Sequence, residues 1–236
     1  MPVARLDGPP RDVRLLVDHR EDLVTERTRV QSRLRWHLHE LFPGMEIPLK
    51  RLRNEPMLRA LDDCLAGVTG TVADIARELV ARCRTLNDRA NDLAHQIGRL
   101  VRRLAPTLLA LPGCGELSAA KIVGEVAGAG RFRSKAAFAR WNGTAPIPVW
   151  SSNNTRHRLN RGGNRQVNAA LHRIAITQWR GLGLGQAYMQ RRMELGDTKT
   201  EALRLLRRRI SDEVYRRLVA DEGHMQMGVS NIHRAA

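Results

Sequence analysis

Between Val126 and Met193 the chain contains no aspartate or glutamate, although the same stretch holds twelve lysines and arginines. A positive field of that extent is not cancelled locally, so the natural partner is a polyanion. Other scarcities narrow the class further. No uninterrupted apolar run approaches the roughly 18 residues of a membrane span, and the opening residues lack the apolar centre of a signal peptide. A cytoplasmic chain with no membrane partner is expected. The three cysteines, Cys64, Cys83 and Cys114, are odd in number and widely spaced, which fits neither a disulfide framework nor a paired-thiol zinc site. Packed, reduced thiols are expected, with no cofactor or metal bound by this chain.

What is present is 236 residues of 26.6 kDa, enough to bury a core in one large domain or two small ones. The formal charge of +16 is unevenly spread: residues 1–110 carry 19 basic and 15 acidic side chains, and residues 111–236 carry 21 and 9.

Pro9 and Pro10 precede apolar residues Leu16, Leu23, Val30, Leu34, Leu38 and Leu41, spaced as one face of a helix that Phe42-Pro43-Gly44 ends. Pro56 starts a shorter helix through Leu58, Leu61 and Leu65. A long helix follows, with Val72, Leu79, Leu86, Leu93 and Leu100 at one heptad position and Ala76, Cys83, Ala90, Ile97 and Leu104 at the other. Such a seam can close an antiparallel hairpin within one chain or a coiled coil between copies, and a homo-oligomer is expected. The solvent face of the first helix is read as carrying Arg27, Arg29, Arg33 and Arg35 near Trp36. At Pro106 the periodicity breaks. The fold class predicted is mainly α: a long coiled-coil or helical-hairpin arm over 1–105, a helical domain over 106–222 containing a helix-hairpin-helix and a short β-hairpin, and a flexible tail over 223–236.

The chemistry-bearing motifs lie in the second half. In Leu111-Pro-Gly-Cys-Gly-Glu, Gly113 and Gly115 allow a tight turn into a helix whose free amides can bind a phosphate oxygen, with Lys121 adding charge on the same side. The scarce aromatics Phe132, Phe138 and Trp141 gather on a helix that stops at Asn142-Gly143, where their expected role is packing. Residues from Ile147 to Leu159 read as two extended segments around a polar turn, with Ser151 and Ser152 at its edge and Arg156, His157, Arg158 and Arg161 beyond. Gly162, Gly163, Asn164 and Arg165 then lead into a helix. Attack of a serine on a phosphodiester needs cations to stabilise developing charge and a base or metal to accept the proton. The arginines meet the first need, and His157 is the nearby neutral-pH base. Near the C-terminus, Leu203, Leu206, Ile210, Val214 and Leu218 form the inner face of an amphipathic helix, with Arg204, Arg207, Arg208 and Arg209 on its outer side. Tyr215 lacks the arginine and histidine surroundings of a recombinase nucleophile and reads as a packing residue.

The order of these motifs, Leu-Pro-Gly-x-Gly, then Arg-Phe-x-Ser-x-x-x-Phe-Ala-x-Trp-x-Gly-x-x-Pro, a serine in a short hairpin, then Arg-Gly-Gly-Asn-Arg, resembles the insertion-sequence 110 (110/116/902-type) family of transposases over about Leu111 to Leu218. The resemblance implies an RNA-guided DNA recombinase, with guide RNA as a further partner, a RuvC-like domain whose acids hold Mg2+, and a C-terminal domain bearing a nucleophilic serine. On that pattern Ser151 is the catalytic serine and Ser152 its runner-up. Gly113, Gly115, Lys121, Arg156, Arg158, Arg161, Asn164 and Arg165 are the DNA- and phosphate-binding set. The acids Asp12, Asp18, Glu21, Asp22 and Glu26 fall in a helix and not at strand ends, so the chain is read as a truncated transposase that lacks the metal-binding domain and is inactive alone. The alternative is a non-catalytic nucleic-acid-binding remnant or accessory protein.

Overall fold

The computed structural model describes residues 7–234 apart from 46, 48, 152, 153, 159, 161 and 182, and the side chains of 49, 148–151, 154–158 and 225–234 lie outside that description. The elements in order are α1 (Gly8–Leu41), α2 (Glu55–Ala66), α3 (Thr71–Leu104), α4 (Pro106–Leu109), α5 (Glu116–Val126), α6 (Lys135–Trp141), β1 (Ile147–Ser151), β2 (Asn154–Arg158), α7 (Arg165–Trp179), α8 (Gly185–Glu194) and α9 (Lys199–Arg234). The chain divides into two compact units, Leu16–Gln96 and Met1–Leu15 with Ile97–Ala236. No described helix is long and apolar enough to cross a membrane.

In the unit of residues 16–96, α1 and α3 run antiparallel: Arg20 Nε donates to the Ala90 carbonyl at 3.1 Å, and Arg82 pairs with Glu26 at 2.5 Å. The core joins Val30, Leu34 and Leu38 of α1, Leu58, Leu61 and Leu65 of α2, and Ala76, Leu79, Val80, Cys83 and Leu86 of α3. Here the heptad seam of α3 is covered by helices of its own chain. Ala73, Val80 and Asn87 add a third buried column beside the two seam columns, so α3 faces several neighbours at once and is broader than a two-stranded seam requires.

Arg27 departs from its expected place on the solvent face: it is 7% exposed and donates from Nη1 to Asn87 Oδ1 at 3.0 Å. Its spacing from Val30 and Leu34, three and seven residues, puts it on the inner face, where a partner on α3 lets it remain. Cys64 likewise departs from the packed-thiol expectation. It is exposed, one residue before buried Leu65, whereas Cys83 and Cys114 are buried.

In the other unit α9 is the common wall, packing against α4, α6, α7 and α8. It starts with a capping box: Glu201 Oε2 accepts from the Thr198 amide at 2.9 Å, and Thr198 Oγ1 accepts from the Glu201 amide at 3.3 Å. Its buried face is Ala202, Leu206, Ile210, Val214 and Leu218. Further along, buried Asp221 accepts from the Thr107 and Leu108 amides at 2.9 and 3.1 Å, satisfying orphan donors at the start of α4. Glu222 does the same for the Ala129 and Gly130 amides of the next turn. The aromatic expectation holds: Phe132, Phe138, Trp141 and Tyr215 form one cluster, with ring centroids 5.0 to 5.9 Å apart.

One expectation is corrected. The architecture is all-α: the described core is built by helices alone, and the expected β-hairpin contributes no sheet layer to it. Ile147–Ser151 and Asn154–Arg158 pair only with each other, in a register that sets Val149 opposite Arg156 and Trp150 opposite Thr155. A lone ladder that opposes apolar and polar residues has no apolar face with which to build a core. The residues expected to form the tail are helical as far as Arg234, where α9 ends. Gly223 and Gly228 weaken a helix by about 1 kcal/mol each without breaking it, and no proline follows Pro148.

Burial pushes the Cys83 thiol up to about 11 and the Cys114 thiol up to about 12, whereas Cys64 is open to solvent. A thiol reagent at pH 8 should therefore label Cys64 alone in the native protein and reach Cys83 and Cys114 only in denaturant. Fast native labelling of all three would contradict this packing.

Candidate nucleic-acid interface

The motif that ends α6 and the motif that starts α7 meet backbone to backbone. Gly143 has φ +76°, and a Cβ there would lie 2.6 Å from the Gly162 carbonyl oxygen. Gly163 has φ +90°, and a Cβ there would lie 2.6 Å from the Trp141 carbonyl oxygen and 2.7 Å from the Gly143 nitrogen. Only glycine fits both the dihedral and the space. The Asn164 amide donates to the Trp141 carbonyl at 2.7 Å, closing the contact. Everything from Thr144 to Arg161 leaves and returns through this clamp, so the paired strands bearing Ser151 are rooted at one fixed point.

Beneath the clamp lies fully buried Asn142, which sequence reasoning treated only as a helix stop. Its Nδ2 donates to buried Ser211 Oγ of α9 at 2.8 Å, its Oδ1 accepts from the Thr144 amide and hydroxyl at 3.0 and 2.7 Å, and its carbonyl accepts from Asn168 Nδ2 at 2.9 Å. One residue, through its side chain and its own carbonyl, thus ties α6, α7 and α9 to the root of the strands. The Asn-Gly pair signalled a turn, but nothing in the sequence identified Ser211 as its partner.

Asn164 is placed as a cap: its Oδ1 accepts from the Val167 amide at 2.9 Å, and its Nδ2 donates to Glu125 Oε2 at 2.6 Å. Its side chain is thereby occupied at both ends, leaving Arg165, exposed in the first turn of α7, as the open group of that motif.

The glycine turn before α5 is docked on the fold. Gly113, at φ +82°, faces the Ile174 carbonyl and Thr177, and Gln178 Nε2 donates to the Pro112 carbonyl at 2.8 Å. The helix before the turn, α4, is a single turn of 4 residues. Gly115 is exposed at the N-cap of α5, but the adjacent position holds Glu116, which pairs with Arg102 at 2.5 Å. A carboxylate already complements this helix N-terminus. Lys121 is only 3% exposed on a helix buried along most of its length, so it is not a surface cation beside the turn.

For Ser151, Arg156, His157 and Arg158 the backbone is placed, on β1 and β2, and their side chains lie outside the described residues. Ser152 and Arg161 lie wholly outside them. Tyr215 donates its hydroxyl to the Phe132 carbonyl at 2.8 Å, in keeping with a packing role.

A divalent metal would need convergent carboxylates, and among the described residues no group of three or more His, Cys, Asp or Glu is placed to hold one. Asp197, Asp212 and Glu213 are tied to arginines, Asp221 and Glu222 to backbone amides, and Glu125 to Asn164. The donor set described here does not fit Mg2+.

Residues 105–190 match the Transposase IS116/IS110/IS902 family. The chain is 26% identical over 248 aligned residues to the "Insertion element IS110 uncharacterized 43.6 kDa protein" of Streptomyces coelicolor, an alignment covering 85% of this chain and 61% of that protein. The chain therefore spans about three fifths of the length of the curated relative it matches. It resembles the IS110/IS902-type transposases, and the family match lies in its C-terminal region.

The clamp predicts unequal costs for neighbouring glycines. Gly163→Ala should destabilise the protein by about 3 kcal/mol or more, because it adds both dihedral strain and an impossible contact. Gly162→Ala meets only the Asn160 side chain, at 3.3 Å, and should cost under about 1 kcal/mol. Urea melts of the two variants give the comparison, and equal midpoints would refute the clamp.

Proposed function

We propose that this chain is the DNA-binding, serine-bearing part of a transposase that moves DNA by strand exchange. The observation that carries the reading is the family match over residues 105–190, which enclose both clamp glycines and the paired strands between them. The acid-free stretch from Val126 to Met193 supports it, since most of that stretch falls inside the matched region. Arg156, Arg158 and Arg161 neutralise the phosphate approached by Ser151. In the step proposed, Ser151 Oγ forms a bond to phosphorus as one bridging P–O bond breaks. The serine proton passes to a base, for which His157 is the nearby candidate, and the released DNA oxygen takes up a proton. The phosphoester bond is conserved in the protein–DNA link, so a second DNA hydroxyl can reverse the exchange without an external energy source.

Guide RNA and a second copy of the chain are further partners under this reading. Magnesium belongs to it only through carboxylates other than those described, and no step is routed through the metal. A non-catalytic binding role is the second reading, favoured by the engagement of the described acids as caps and ion pairs.

If the chain neutralises six or more phosphates, log affinity for duplex DNA should fall with log salt at a slope of about −5 or steeper. A slope near zero would sink both readings. When the family's carboxylate domain is joined to this chain, Ser151→Ala should abolish covalent protein–DNA adducts and leave the salt slope unchanged. Persisting adducts would move the role to Ser152 or away from serine, and absence of adducts from the unmutated protein would favour the non-catalytic reading.

A further inference from the structure

The arginines on the outward side of α9 do not share one fate. Arg208 is paired with Asp212, and the Arg209 guanidinium lies 4.7 Å from the Tyr188 ring centroid. Among the described residues of this helix, Arg216 and Arg217 pair with Glu213. No described carboxylate pairs with Arg204 or Arg207, and the Nε of half-buried Arg207 is closed off from water with no acceptor. Helix α7, which packs on α9, brings up His172, also half-buried, whose Nδ1 is likewise enclosed and unpartnered. Arg165 stands two helical turns before His172 on the same face of α7 and is exposed, as is Arg204.

These groups act on one another. Burial first, then the charges of Arg204 and Arg165, push the Arg207 guanidinium down from its ordinary value. Burial first, then Arg207, push the His172 imidazole down as well. Like charges gathered where water is partly excluded, with buried N–H groups unsatisfied, are unfavourable unless an anion joins them. A phosphate matches the deficit because its oxygens accept from a guanidinium fork and an imidazole together.

We infer that Arg165, His172, Arg204 and Arg207, at the contact of α7 with α9, form a binding site for one backbone phosphate of nucleic acid. This rests on the nucleic-acid reading above and goes beyond it, because His172 and the α9 pair belong to no motif of the glycine turns or the hairpin. The site opens through exposed Arg165 and Arg204 and ends on half-buried Arg207 and His172, a geometry that suits a phosphate oxygen entering from the surface.

The test uses the full chain and a short DNA duplex of arbitrary sequence. Arg207→Gln should weaken binding about tenfold and reduce the magnitude of the salt slope by about 1. Arg204→Gln, at an exposed residue that carries no folding load, should do the same. Arg180→Gln removes equal charge at the opposite end of α7 and should weaken binding less. In chloride buffer Arg207→Gln should melt at or above the unmutated protein, since it removes an unpaired, partly desolvated cation. Inorganic phosphate should raise the melting temperature of the unmutated protein more than that of the variant. Equal losses for Arg207→Gln and Arg180→Gln, or a variant that melts lower in chloride, would overturn the site. If the unmutated protein fails to bind duplex at all, the nucleic-acid reading falls, while the phosphate-dependent melting shift still decides the anion site separately.

Discussion

The C-terminal unit depends on the approach of Gly143 to Gly162 and Gly163. Two backbone turns, separated in sequence by the paired strands, come so close that a single methylene would collide with a carbonyl or amide. The contact is held by the Asn164 amide on one side and by the buried Asn142 side chain on the other. Because Asn142 also reaches Ser211 of α9 and receives Asn168 of α7, the exit and re-entry of the strands are fixed to the helical scaffold at one place. A ladder of two strands is marginal by itself. Rooted in this way, its position at the base is set by the surrounding helices.

The charge pattern has the same origin. The acids of the second half are scarce, and several of those described are used as caps or local partners: Asp221 and Glu222 complete helix and turn amides, Glu125 fixes Asn164, and Glu116 complements α5 while holding Arg102. Each carboxylate used as a cap or local partner is unavailable to offset arginines elsewhere. The positive surplus at the surface therefore results from where the few acids are needed, as well as from their number.

The helices were legible in the sequence because they are written in local signals: Pro56 opening α2, the heptads of α3, Pro106 opening α4, and the inner face of α9. What was not legible depends on partners distant in sequence. Arg27 is inside because Asn87 stands across from it, 60 residues away. Asn164 looked like a phosphate ligand from its motif, and only the fold reveals Glu125, 39 residues earlier, as the partner of its amide. Lys121 shows the same limit, since a lysine on a short amphipathic segment is normally at the surface, and α5 proves to be enclosed on most sides. The continuation of α9 past Gly223 has no clear local signal, because a chain end ordinarily frays and the two glycines there cost a helix little enough to be carried.

Under the strand exchange proposed for this chain, the segment from Gly162 to Arg165 would meet two demands at once. Gly163 anchors the strands that carry Ser151, and two residues later Arg165 stands at the open end of the α7–α9 cationic site. Between them Asn164 caps α7, so the start of that helix cannot shift without disturbing the clamp. A phosphate held by Arg165 and its neighbours would thus be held by the same rigid corner from which the serine-bearing strands emerge. Positioning of this kind lowers a reaction barrier only if the connecting backbone does not yield. The glycines supply that stiffness here through close packing, although glycine elsewhere usually marks freedom of movement.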